Sequence, residues 1–159
     1  MAKVLAKVES FGFDEVLRKL GSQRSQKPQF DTRILRELTV IAEEACNDAR
    51  DTYPSRDSGG YDDHTRNLRG SIGFKIFFES KEVTSGGFDG RGSADGESAA
   101  RTALSKFEAK GSLWEVVVVA GKEYARYVEA KGCNVISFLQ SSLDEKIKKL
   151  IQDIKDNKI

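Results

Sequence analysis

The sequence predicts an α+β domain, and three of its features do so. Two long stretches carry apolar residues at helical spacing, one stretch has a period of two, and a run of consecutive valines lies beyond a glycine-rich segment. With 159 residues the chain has room for one domain and its core, not two. The order helix, strands, helix, strand, helix sets no regular βαβ alternation, so a small, mainly antiparallel sheet with helices packed on it is expected.

The longest pattern starts at Asp31. Ile34, Leu35, Leu38, Ile41, Ala42, Ala45 and Ala49 recur at i, i+3, i+4 and i+7, one apolar stripe along a helix. Asp31 is placed to cap its first turn, and Pro54 biases Tyr53 away from helical geometry. About twenty-two residues make a rod of roughly 33 Å. Arg36, Glu37, Glu43, Glu44 and Asp48 line its wet face.

Ahead of this helix, Phe11, Phe13, Val16, Leu17 and Leu20 suggest a short amphipathic segment ending near Gly21. Ser22 to Gln29, polar and containing Pro28, is expected to be an extended linker. The expected organisation is therefore 1–30 as N-terminal segment and linker, and 31–159 as a single α+β domain.

Residues Ser55 to His64, with Gly59 and Gly60, are expected to form a surface loop. Ile72, Phe74, Ile76 and Phe78 then alternate with Gly73, Lys75 and Phe77, which predicts a half-buried strand. A partner strand begins at Val83 and Thr84 after a turn near Ser80–Lys81, although those residues are not a favoured hairpin pair. Thr84 to Ser98 holds several glycines and little that is apolar, so a flexible insertion is expected near 84–98. A modest helix follows through Ala99, Ala100, Ala103, Leu104 and Phe107, stopping by Gly111. Leu113 to Ala120 is apolar on both faces from Val116 onward, a strand covered on both sides, with the Asp31 helix as one cover. Leu139, Leu143, Ile147, Leu150, Ile151 and Ile154 mark a closing amphipathic helix.

Composition removes several function classes. There is one histidine, His64, and two cysteines, Cys46 and Cys133, so neither a multi-histidine zinc site nor a disulfide scaffold is available. Twenty-six Lys and Arg against twenty-five Asp and Glu leave a net charge of +1, unlike a polybasic nucleic-acid binder. The longest apolar run, Val116 to Ala120, is far short of the ~20 residues of a membrane span, and the N-terminus lacks a secretory apolar core.

Each chemical motif meets a plainer explanation. Gly90, Gly92 and Gly96 are spaced one residue too long for a dinucleotide fingerprint. Asp62, Asp63 and His64 form a solvated acidic turn more readily than a metal site or the core of a hydrolase, because neighbouring loop residues do not converge on one point. Nothing places Cys133 beside His64 for a thiol dyad. Arg66, Arg69 and Lys75 make a small basic cluster, with Arg69 and Lys75 on the outward strand face. It is read as solubilising charge, with a nucleic-acid-binding module as the alternative function. Phe74, Phe78 and Trp114 belong to the core. No catalytic, cofactor-binding or metal-binding residue is expected, and no cofactor.

Three segments together carry a resemblance. The first is Ala49-Arg50-Asp51-Thr52-Tyr53-Pro54 at the end of the long helix. The second is Thr65-Arg66-Asn67-Leu68-Arg69-Gly70-Ser71-Ile72. The third is Gly121-Lys122-Glu123-Tyr124-Ala125-Arg126-Tyr127-Val128-Glu129-Ala130-Lys131-Gly132, followed by Phe138-Leu139 and the closing helix. In order and spacing these resemble the tail-completion, or head–tail joining, proteins of long-tailed bacteriophages, the gene-product-ten-like family of minor tail or minor capsid components. Arg66 stands where the family pattern has glycine. The loop at 55–63 and the insertion within 84–110 are longer than in the pattern, and the longer form is similar to prophage versions.

The resemblance implies a structural, non-enzymatic virion protein of the neck and tail, made in the bacterial host cytoplasm. It implies a homo-oligomeric ring in the virion, with a monomer in isolation allowed. The implied partners are other phage neck, connector and tail subunits, with no membrane and no specific nucleic acid. Physical roles suggested for the motif residues are a turn at Asn67, strand anchoring by Leu68 and Ile72, and packing of a short helix by Tyr124, Tyr127 and Val128.

Overall fold

The computed structural model describes residues 28–51, 67–88, 93–111, 113–121, 139–156 and 158. The amphipathic segment at 11–20, the loop at 55–64 and most of the third motif, 122–132, lie outside them. Helix α1 spans Pro28–Asp51, the short α2 spans Asn67–Gly70, and strands β1 and β2 span Ile72–Phe78 and Lys81–Gly86. Helix α3 (Ala94–Ser105), strand β3 (Trp114–Ala120) and helix α4 (Leu139–Lys155) complete the order. The sheet is antiparallel with order β2-β1-β3, so the fold is the expected α+β arrangement.

Alternation along β1 divides the core between the two faces of the sheet. Ile72, Phe74 and Ile76 pair with Ala120, Val118 and Val116, and this face packs against the stripes of α1 and α4. Leu139, Leu143, Ile147, Leu150, Ile151 and Ile154 are all buried there, as the periodicity of the last helix predicts. On the opposite face Phe77, Val117 and Val119 meet Ala103, Leu104 and Phe107 of α3 and the segment after it. The valine strand is buried along its whole length, as its composition predicts.

Several expectations are corrected. Helix α1 begins at Pro28, inside the stretch expected to be linker; proline is well suited to a first turn, where its missing N–H costs nothing. Asp31 lies within that first turn, where its charge favours the helix N-terminus. Strand β1 is buried on both faces rather than half-buried, because it is the central strand and α3 covers its second side. The insertion expected near 84–98 is regular at both ends. Thr84–Gly86 completes β2, and α3 starts at Ala94, where the Ser93 side chain accepts a hydrogen bond from the Gly96 amide.

The hairpin turn is made by Glu79 and Ser80, both at positive φ (49° and 65°). That is the geometry a two-residue hairpin favours, achieved without the usual asparagine and glycine. Opposite Ile76 and Phe77 the register of β2 slips, leaving Val83 as an extra residue. Gly121 permits close packing at the far end of β3: a Cβ there would come within 2.4 Å of the Ala99 carbonyl oxygen of α3.

Candidate functional site

The described parts of the three family-like segments meet at one junction. The buried Arg50, in the last turn of α1, donates from Nε to the Arg69 carbonyl at 3.2 Å and from a terminal nitrogen to the Ile72 carbonyl at 2.6 Å. The same nitrogen also donates to the carbonyl of Gly87, which follows β2. Ser71, between α2 and β1, donates from its hydroxyl to the Leu68 carbonyl at 2.7 Å, and its own carbonyl accepts from the Gly121 amide at 2.9 Å. Leu68 and Ile72 are buried beneath, in the anchoring role expected of them. The described part of the motif thus joins the ends of α1, α2, β1, β2 and β3 as an architectural knot.

Lys75 is the clearest departure from the sequence reading. It was expected outward as surface charge, yet it is 8% exposed, on the face covered by α3. Its ammonium donates to the Leu104 carbonyl in the last turn of α3 at 3.1 Å and pairs with Glu82 at 2.8 Å. A cation at a helix C-terminus is favourable, and the long stem crosses apolar surface, with Nζ 5.8 Å from the Phe77 ring centre. Lys75 therefore does not join Arg69 in an outward cluster for the phosphates of a nucleic acid; Arg66 lies outside the described residues. Glu115 is buried on the same face, its carboxylate accepting from the Lys110 amide at 2.8 and 3.0 Å.

Phe74 and Trp114 are core residues as expected, and Phe78 is half-buried with its ring centre 4.5 Å from that of Trp114. Gly96 sits buried inside α3 rather than in a glycine loop; Gly90, Gly92, Asp62, Asp63, His64, Cys133, Tyr124, Tyr127 and Val128 lie outside the described residues. Among the described residues no three His, Cys, Asp or Glu side chains are grouped to hold a metal ion, and no helix is long and apolar enough to cross a membrane.

What the molecule presents is surface. Strand β2 forms an outer edge of the sheet, with Lys81, Glu82, Val83 and Ser85 exposed. Its two charges and its bulge guard the end near the hairpin against indiscriminate strand pairing, while Val83 to Gly86 is uncharged. On α3 a shallow depression is lined by Ala94, Glu97, Ser98, Arg101, Thr102 and Ser105. Arg101 there pairs with Glu97 at 2.7 Å and covers the Phe88 ring at 4.4 Å. The outer sides of α1 and α4 are charged, and Lys146 of α4 bridges to Glu44 of α1 at 2.7 Å.

Sequence reasoning gave Arg50 no role of its own and put Lys75 on an outward face. A basic residue in the last turn of α1 was visible as a helix-end preference, but its three carbonyl partners come from segments distant in the chain. Comparison with curated proteins and with solved structures returned no match. A family model described as "Bacteriophage HK97-gp10, putative tail-component" matches residues 14–130, a stretch that begins ahead of α1 and runs past the end of β3. Covering well over half of the chain, that match agrees with the knot of motif residues, and the chain belongs to the HK97-gp10-like family of phage tail components.

Proposed function

We propose that this protein is a tail-completion or head–tail connector subunit, acting in virion assembly through ring-type protein–protein contacts and carrying out no catalysis. The observation that carries the reading is the family match over the helix-and-sheet core. The surface supports it. A closed ring needs two different patches on each subunit that meet head to tail. The exposed edge of β2 and the charged outer side of α4 are two such patches, on different elements. An edge strand offers unpaired backbone groups for affinity, and charge on a facing helix sets register. In this reading the protein sits at the neck end of the tail, beside other connector and tail subunits.

Removing the gene from a producing phage tests the proposal. Electron microscopy of the lysate is expected to show filled heads and finished tails that have not joined, with joining restored by added protein. Intact infectious particles in its absence would overturn the assignment.

A further inference from the structure

The outer face of α1 has a pattern that the fold itself uses only in part. At 100° per residue, Arg33, Arg36, Val40, Glu43, Glu44 and Asn47 fall within an arc of about 100° on the side away from the sheet. All six are exposed, and Val40, at 43%, is one of two large apolar residues exposed among those described. Along the helix the face reads basic, apolar, acidic, with Val40 in the middle. This order is opposed to the helix dipole, which favours acidic groups toward the N-terminus and basic groups toward the C-terminus. Intramolecular pairing accounts for only part of it: Lys146 reaches Glu44 at 2.7 Å and Asp48 at 3.9 Å.

Such a pattern is complementary to its own reverse. We propose that α1 docks a second copy of this chain, the two helices antiparallel across a two-fold axis near Val40. In that arrangement Val40 meets Val40 of the other copy. Arg36 lies on the same side of the axis as the other copy's Glu43, and Arg33 on the same side as its Glu44. Each ion pair occurs twice, because a two-fold contact repeats every interaction. The antiparallel arrangement also opposes the two helix dipoles favourably. One helix face is smaller than a standard stable interface, so the dimer is weak and salt-sensitive, with a dissociation constant of about micromolar or above. This contact is distinct from the ring contacts, which join unlike surfaces, and it does not depend on the phage assignment.

Analytical ultracentrifugation of the whole protein over a concentration series, at low and high salt, tests it. Arg36→Glu and Glu43→Arg are each expected to weaken dimerisation by roughly tenfold, since two attractive pairs become repulsive. The double variant R36E/E43R restores the pairing with signs exchanged and returns the affinity to near that of the parent. Val40→Asp abolishes it. All three sites are exposed, and circular dichroism checks that each variant is folded. A chain that stays monomeric at every concentration would overturn the proposal, as would a dimer indifferent to these changes or a double variant as weak as the singles. Because the readout is self-association, its failure leaves the neck-assembly reading intact, and the gene-deletion result does not bear on it.

Discussion

Arg50 shows how much one side chain can hold. Its planar fork gathers carbonyls from the end of α2, the start of β1 and the exit from β2, all behind a buried surface. A lysine keeps the charge but replaces the fork with a single point of donation. Arg50→Lys is therefore expected to lower stability by about 2 kcal/mol, since hydrogen bonds from a charged group are worth roughly 1.5–3 kcal/mol each and only part of the set is lost. Urea denaturation checks this, and an unchanged midpoint would mean that the clasp is decorative. In the sequence Arg50 was legible as a basic residue ending a helix. Lys75 was misjudged because alternation reports which side of the strand a residue occupies, not whether another element covers that side.

At the level of elements, the apolar stripes of α1 and α4 and the valine run of β3 were readable because each is a local periodicity. The hairpin was harder. Glu79 and Ser80 both occupy left-handed backbone, which costs an ordinary residue roughly 1–2 kcal/mol, and the pairing of the flanking strands holds them there, helped by the Glu79 amide donating to the Leu113 carbonyl at 2.9 Å. Replacing the pair with Asn-Gly (Glu79→Asn with Ser80→Gly) removes much of that strain. A gain of about 1 kcal/mol is expected, read as a higher midpoint in chemical denaturation with the slope unchanged. A loss of stability would mean that the turn side chains contribute something their geometry does not reveal. Helix α3 began earlier than its alanines suggested because Ser93 caps it, and a serine among glycines looks like loop until a helix is known to follow.

For the whole molecule the central question is whether the two faces of the sheet form one cooperative unit. Trp114 is the only tryptophan, and it is buried in the core shared by α1, α4 and the sheet. Its fluorescence therefore reports on tertiary packing, while far-ultraviolet circular dichroism reports on the helices of both faces. Leu143 lies fully buried where α4 enters that core. Leu143→Ala is expected to destabilise by about 2–5 kcal/mol, with both signals shifting together. Separated transitions would mean that α4 unfolds on its own.

By itself the sequence located the two long helices, the strands β1 and β3 and the residues that face inward along those helices, and it carried no recognisable reactive motif. These follow from local spacing, which the backbone periods of 3.6 and 2 convert directly into faces. Only the tertiary structure decided that β1 lies in the middle, that Lys75 is covered, that Arg50 ties the family-like segments into one knot, and that the edge of β2 and one side of α1 stay open. The reason is physical. Burial depends on what is packed on the second side, and that is set by contacts between segments far apart in the chain.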